Sequence, residues 1–273
     1  MTRAAGASTT ASSKARAGRP YLRGLRAALV TLTRVPAGGF PYSEADWCWS
    51  AAYLPLIGAL VGIVLGAAWL AAARAGYLVA AVVAIAASVL LTGAMHEDGL
   101  ADTADALGGG TTRERVLAIL KDSRIGSFGG VALVITILLR VALLARLGAA
   151  APFAMVLTSC ASRVVPVWLM SALPYVTDPA VAKSRATTRA GWAQVMLATS
   201  WPLLVSAGLW CVNAFGVREL AASALAVVVA ATVCAARFRA RVGGTTGDFL
   251  GAAQQVAECA MLLALAVARG GPP

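Results

Sequence analysis

Charge is what this sequence has least of. Only 13% of its 273 residues are Asp, Glu, Lys or Arg, against 59% that are hydrophobic. A soluble domain is about one quarter charged, so the deficit excludes an ordinary water-soluble domain and points to lipid as solvent. Acidic residues are scarcest, 12 against 23 basic ones, for a formal net charge of +11. Such a balance suggests nucleic acid, yet the basic residues sit in short loops between apolar runs, as membrane topology requires, so no nucleic-acid partner is expected. Cysteine is sparse and unclustered. Cys48, Cys160, Cys211, Cys234 and Cys259 contain no CxxC pair and read as small buried hydrophobes, with no disulfide or zinc set expected. Histidine occurs once, as His96.

What is abundant is uncharged length. A membrane-spanning helix needs roughly 20 mostly apolar residues. Six segments meet that need: Ala51 to Ala73, Gly76 to Met95, Phe128 to Leu147, Ala149 to Pro174, Trp192 to Val217 and the shorter Leu220 to Ala236. Ala252 to Ala268 is a seventh candidate, interrupted by Gln254, Gln255 and Glu258, which can span, re-enter or lie in the interface. The expected fold is an all-α polytopic transmembrane bundle. Basic and bare loops alternate between these segments: the chain before the first span, the loop with Arg113, Arg115, Lys121 and Arg124, the loop with Lys183, Arg185 and Arg189, and Arg237, Arg239 and Arg241 after the sixth are the basic ones. Lys and Arg are retained in the cytoplasm, so the N-terminus and these loops are expected there. Residues 1–20 read as a disordered basic tail rather than a signal peptide, 21–268 as a single membrane domain, and 269–273 as a C-terminal tail. Tyr21 to Thr33 reads either as a basic interfacial helix or as a plain topogenic flank.

Against this scarcity of acid, six of the 12 acidic residues fall between Glu97 and Asp122. Asp98, Asp102 and Asp105 are spaced i, i+4, i+7 where the second span ends. If that helix continues, all three share one face. Like charges so placed repel by a few tenths of a kcal/mol per pair, and a cation should offset this. Mg²⁺ is the natural one, a hard ion usually held by one or two carboxylates together with substrate phosphates. The three aspartates are therefore expected to be metal ligands. His96 adjoins them and belongs to the same expected catalytic group, as a base or as a hydrogen-bond partner of an aspartate.

Two further stretches look like the rest of a phosphate site. Gly108 to Gly110 should end the helix, and Thr111 to Glu114 reads as a capping box starting a short helix through Leu120. Lys121, Asp122, Ser123 and Arg124 follow, with two cations suited to phosphate. After the sixth span, Gly243, Gly244, Thr246, Gly247 and Asp248 form a glycine-rich loop whose backbone N–H groups can approach a phosphate. Arg140 and Arg163 lie within spans, where charge is costly, and should face the bundle interior or a wet cavity. Arg163, in a polar patch beside Ser162, is the better functional candidate.

These stretches carry a resemblance. His96-Glu97-Asp98-Gly99-Leu100-Ala101-Asp102-Thr103-Ala104-Asp105, then Lys121-Asp122-Ser123-Arg124-Ile125-Gly126 and Gly243-Gly244-Thr245-Thr246-Gly247-Asp248, resemble the cobalamin synthase family of adenosylcobinamide-GDP ribazoletransferases. Thr33 to Pro36 and Tyr53 to Gly58 look similar too, and the likeness covers roughly residues 24 to 260. Ala106 stands where the family often has Gly. The resemblance implies Mg²⁺-dependent joining of adenosylcobinamide-GDP to α-ribazole or its 5′-phosphate, with release of GMP, at the bacterial cytoplasmic membrane. It leaves a homo-oligomer open. A CDP-alcohol phosphatidyltransferase would place an Ala-Arg pair between its aspartates, absent from Asp98 to Asp105. A cation-coupled transporter would bury its acids near the bilayer midplane, whereas these follow a complete apolar span.

Overall fold

The computed structural model describes residues 19–176 and 189–270. The expected N-terminal tail, the final residues and the basic loop positions Lys183 and Arg185 fall outside the described residues. Eleven α-helices follow: α1 (Pro20–Leu32), α2 (Glu44–Ala72), α3 (Tyr77–Thr92), α4 (Met95–Gly109), α5 (Arg113–Ile119), α6 (Ser127–Leu147), α7 (Ala151–Ala161), α8 (Val164–Ala172), α9 (Trp192–Cys211), α10 (Val217–Val242) and α11 (Gly247–Arg269). No strand occurs among the described residues beyond a single bridge, Tyr175 with Thr245. The molecule is a polytopic helical bundle.

Five helical stretches are long and apolar enough to cross a membrane, or six if the bent α3–α4 pair counts as one. One of the five is the 46-residue stretch Ser127–Ala172, which holds both the third and fourth expected segments. Its parts do not run on in one line. Gly58, Gly62 and Gly66 of α2 meet Ser159, Met155 and Pro152 of α7 in turn. Numbers rising in one helix and falling in the other make the pair antiparallel, and bare glycine faces let the backbones touch, as small residues do between membrane helices.

Three expectations change. The second segment does not continue straight into the aspartates. Gly93 and Ala94 take left-handed φ of 70° and 59°, and α4 leaves α3 at 91°. The fourth segment breaks at Ser162–Arg163 into α7 and α8. The seventh candidate forms one 23-residue helix, Gly247–Arg269, long and apolar enough to cross a membrane, with Gln254, Gln255 and Glu258 buried inside the bundle.

The two ends of the bundle are distinct. At one, Asp105 meets the start of α6 and Arg113 reaches the end of α10. At the other, Trp69 stacks on Tyr77 with centroids 5.2 Å apart, and Arg269 meets Glu219 at 3.2 Å. The buried core is built largely from Ala, Val and Leu, while large side chains such as Leu78, Val134 and Leu203 face outward, as a lipid-facing surface does.

Candidate active site

The aspartate helix is amphipathic in an unusual sense. On α4, His96, Glu97, Gly99, Leu100, Ala101, Thr103 and Ala106 are buried. Asp98 is exposed, and Asp102 and Asp105 are half-buried. The three aspartates therefore share the wetter side of one helix, which packs between α6 and α11.

They do not share one partner. Asp105 accepts hydrogen bonds from Gly126 N–H at 2.7 Å and Gly129 N–H at 2.9 Å, one on each carboxylate oxygen. It caps the N-terminus of α6, where peptide donors lack intrahelical acceptors and the helix dipole favours an anion. A side chain at either glycine would run into this carboxylate. Among the described residues no three His, Cys, Asp or Glu side chains stand close enough together to hold a metal ion. Asp98 and Asp102, one turn apart, remain the carboxylates on the open face.

The glycine-rich loop reaches the same helix. A Cβ on Gly99 would stand 2.9 Å from the carbonyl oxygen of Asp248, and one on Gly251 3.5 Å from the Cα of His96. The N-terminus of α11 thus lies directly on α4, beside Asp98 and one turn before Asp102. Thr246 caps α11, its hydroxyl accepting from Phe249 N–H at 3.3 Å. Gly243 closes α10 with a left-handed φ of 78°. Thr245 N–H donates to the Pro174 carbonyl at 2.8 Å and Val176 N–H to the Thr245 carbonyl at 2.9 Å, so this loop is tied to the chain leaving α8. Gly244 lies against the Pro174 carbonyl, and Gly247 stays exposed.

The Lys121–Arg124 loop leads straight into Gly126, under Asp105. Arg124 is exposed and forks onto Asp122, Nη2 to Oδ2 at 2.7 Å and Nε to Oδ1 at 3.0 Å. Those hydrogen bonds pull the Asp122 carboxyl down to about 2. Lys121 and Ser123 are exposed. The short helix before this loop is capped by Thr112, whose hydroxyl accepts from Arg115 N–H at 3.3 Å, one residue later than the expected Thr111. The helix also stops at Ile119.

Arg163 does not reach the open face. It is buried at the α7–α8 break and donates to the Ser159 carbonyl at 2.7 Å. Behind it lies a buried polar network that sequence reasoning saw only in pieces. Arg140, 1% exposed, bridges Glu97 at 3.0 Å and Glu258 at 2.9 Å. Gln255 donates to Glu97 at 3.1 Å, and Gln254 donates to Glu258 at 2.7 Å and Ser162 at 2.9 Å. This network joins α4, α6, α11 and the α7–α8 break. Its signal in the sequence was Gln254, Gln255 and Glu258 at i, i+1, i+4 in an otherwise apolar stretch.

Arg113 and Arg241 are a second omission, legible beforehand only as loop charges. Arg113 Nε donates to the Val242 carbonyl at 2.9 Å, and Arg241 Nη2 donates to the Gly110 carbonyl. They line a cavity of about 630 Å³ at the site end of the bundle.

Comparison with known proteins agrees with the motifs. The family model described as cobalamin-5-phosphate synthase matches residues 24–266. A protein of Leptothrix cholodnii is 42% identical over 243 residues, covering 86% of this chain and 92% of its own. One of Rhizobium etli is 43% identical over 221 residues, covering 78% and 84%, and one of Shewanella pealeana 38% identical over 241 residues, covering 86% and 91%. All three are named adenosylcobinamide-GDP ribazoletransferase. No solved structure matches the chain.

Proposed function

The chain belongs to the cobalamin-5-phosphate synthase family, and from that premise we propose that it transfers the adenosylcobinamide phosphate group from adenosylcobinamide-GDP to α-ribazole or α-ribazole 5′-phosphate, in cobalamin biosynthesis. Membership displaces both the phosphatidyltransferase and the transporter readings. The observation that carries the proposal is the approach of Asp248 to Gly99. It sets the glycine-rich loop on the buried flank of the aspartate helix, next to the wetter side that Asp98 and Asp102 share, with the Lys121–Arg124 loop at that helix's far end.

In the proposed reaction a ribose hydroxyl of the acceptor other than the 5′ one, which carries the phosphate in α-ribazole 5′-phosphate, attacks the cobinamide-linked phosphorus; a new P–O bond forms, the P–O–P bond breaks, and GMP leaves. The hydroxyl proton goes to His96 or to one of the carboxylates. Asp98 and Asp102 fit Mg²⁺, since that ion takes one or two carboxylates and completes its shell with water and substrate phosphate. Asp248 enters beside them from α11. Asp105 serves the site by fixing α6 and the loop before it. When bound, the metal neutralises charge on the diphosphate and the leaving GMP. Lys121 and Arg124 supply positive charge to the phosphoryl oxygens, and of the glycine-rich loop Gly247 is exposed at the start of α11, whereas the Gly243 and Thr245 N–H groups are spent on the Arg239 and Pro174 carbonyls. The Lys and Arg of these loops support a cytoplasmic position for this end, the side on which water-borne substrates would arrive.

The test is purified protein in detergent or nanodiscs with adenosylcobinamide-GDP, α-ribazole and Mg²⁺. GMP should appear in step with the corrinoid product. Absence of GMP above the protein-free rate, with a folded protein, rejects the assignment.

A further inference from the structure

The cavity of about 630 Å³ at the site end has one wall of cations and one of apolar side chains. Arg113 and Arg241 line it together with Thr111, Pro174, Val176 and Val242, and no acidic residue is among the described residues that border it. Neither arginine belongs to any of the five ion pairs among the described residues. Each instead spends a single N–H on a backbone carbonyl, Arg113 on Val242 and Arg241 on Gly110. A guanidinium carries several donors in a rigid fork, so these tethers orient both planes and leave their remaining edges for a ligand. Two cations lining one cavity, neither of them ion-paired among the described residues, suit an anion. Arginines that only anchored topology would have no reason to converge on one cavity.

Its place in the fold connects it to the chemistry. Gly110 directly follows the aspartate helix, and Val242 and Gly243 begin the loop that runs through Thr246 to Asp248. Asp102 stands about 12 Å along the helix axis from Gly110. Thr245 and Pro174 are hydrogen-bonded across the cavity's edge, so that wall is preformed. The volume lies within the range of small-ligand pockets, about 300–1,000 Å³.

We propose that this cavity binds a phosphorylated ribonucleoside, its phosphate forked between Arg113 and Arg241 and its ring faces laid on Pro174, Val176 and Val242. The inference rests on the ribazoletransferase reading and deepens it. Two sources share this chemistry: the guanosine end of the donor, which leaves as GMP, and the acceptor in its 5′-phosphate form.

The test uses the full chain in nanodiscs with Arg113→Gln, Arg241→Gln and the double variant. Val176→Trp narrows the apolar side and leaves both arginines intact. Folding is checked by thermal unfolding. If the nucleotide end docks here, the KM for adenosylcobinamide-GDP and the inhibition constant of GMP rise about tenfold or more, with the acceptor KM unchanged. If the acceptor docks here, the KM for α-ribazole 5′-phosphate rises while that for α-ribazole stays. Folded variants in which neither moves overturn the proposal. Equilibrium titration of GMP and α-ribazole 5′-phosphate onto wild type and variants reads the cavity without turnover. A wild type that binds either in an Arg113- and Arg241-dependent way yet releases no GMP would sink the transferase reading and keep the site.

Discussion

Asp98 and Asp102 look out from α4, whereas Asp105, a turn further on, gives both oxygens to the amides that start α6. One motif thus divides into two jobs. Asp102→Asn removes a charge from the wetter side of α4 while keeping the side chain's shape, so turnover should fall to background while the protein still elutes as a folded species; near-normal turnover refutes the metal assignment. Asp105→Ala should instead cost stability, about 1–2 kcal/mol for a lost helix cap, read as a lower unfolding temperature. An unchanged unfolding temperature would show the cap to be idle. Asp122 offers a pH test. Its carboxyl is held down to about 2 by the hydrogen bonds from Arg124, so the pair is intact above the usual carboxylate range and dissolves only as pH falls toward that value. Asp122→Asn should leave the acid limb of the pH–rate profile between pH 5 and 7 where it is. A shifted limb would mean that Asp122 titrates in the reaction.

Between helices, the strongest constraint is the buried charge set. Arg140 of α6 neutralises Glu97 of α4 and Glu258 of α11, so the three helices that frame the site are tied at their cores by groups that lipid would reject. Arg140→Ala leaves two buried carboxylates facing each other. It should destabilise by about 3–5 kcal/mol, measured by unfolding in detergent. Adding Glu97→Gln and Glu258→Gln should recover most of that loss, because the uncompensated charge is then gone. A triple variant no more stable than the single one would count against this account. The same logic accounts for the polar residues of α11, a helix long and apolar enough to cross a membrane: Gln254, Gln255 and Glu258 pair inside the bundle.

Over the whole molecule, the helices run alternately from the site end to the opposite end. α10 returns to the site end and α11 leaves it, so Arg269 finishes beside Glu219 and the Ala214 carbonyl on the far side. If Lys and Arg retention holds the basic loops at the cytoplasmic face, the start of α1 is expected inside and residue 270 outside. A reporter fused after Gly270 should register on the external side and one fused before Pro20 on the internal side. Reporters on the same side would remove one crossing and exclude α11 as a full span.

Much of this was legible in one dimension. Apolar length gave the rough limits of the membrane segments but not their number, since the six expected segments and a seventh candidate resolve into five spanning stretches, or six with the bent α3–α4 pair. Alternating loop charge gives only an expected direction. Spacing put three aspartates on one helix face, because an α-helix repeats every 3.6 residues. Only the tertiary structure decided which groups meet. The turn at Gly93–Ala94, the descent of α11 onto Gly99, the diversion of Asp105 to α6 and the pairing of Arg113 with Arg241 across one cavity all join residues distant in the chain. Those distances are set by how glycine faces and buried charges close-pack in three dimensions, and nothing in local sequence encodes them.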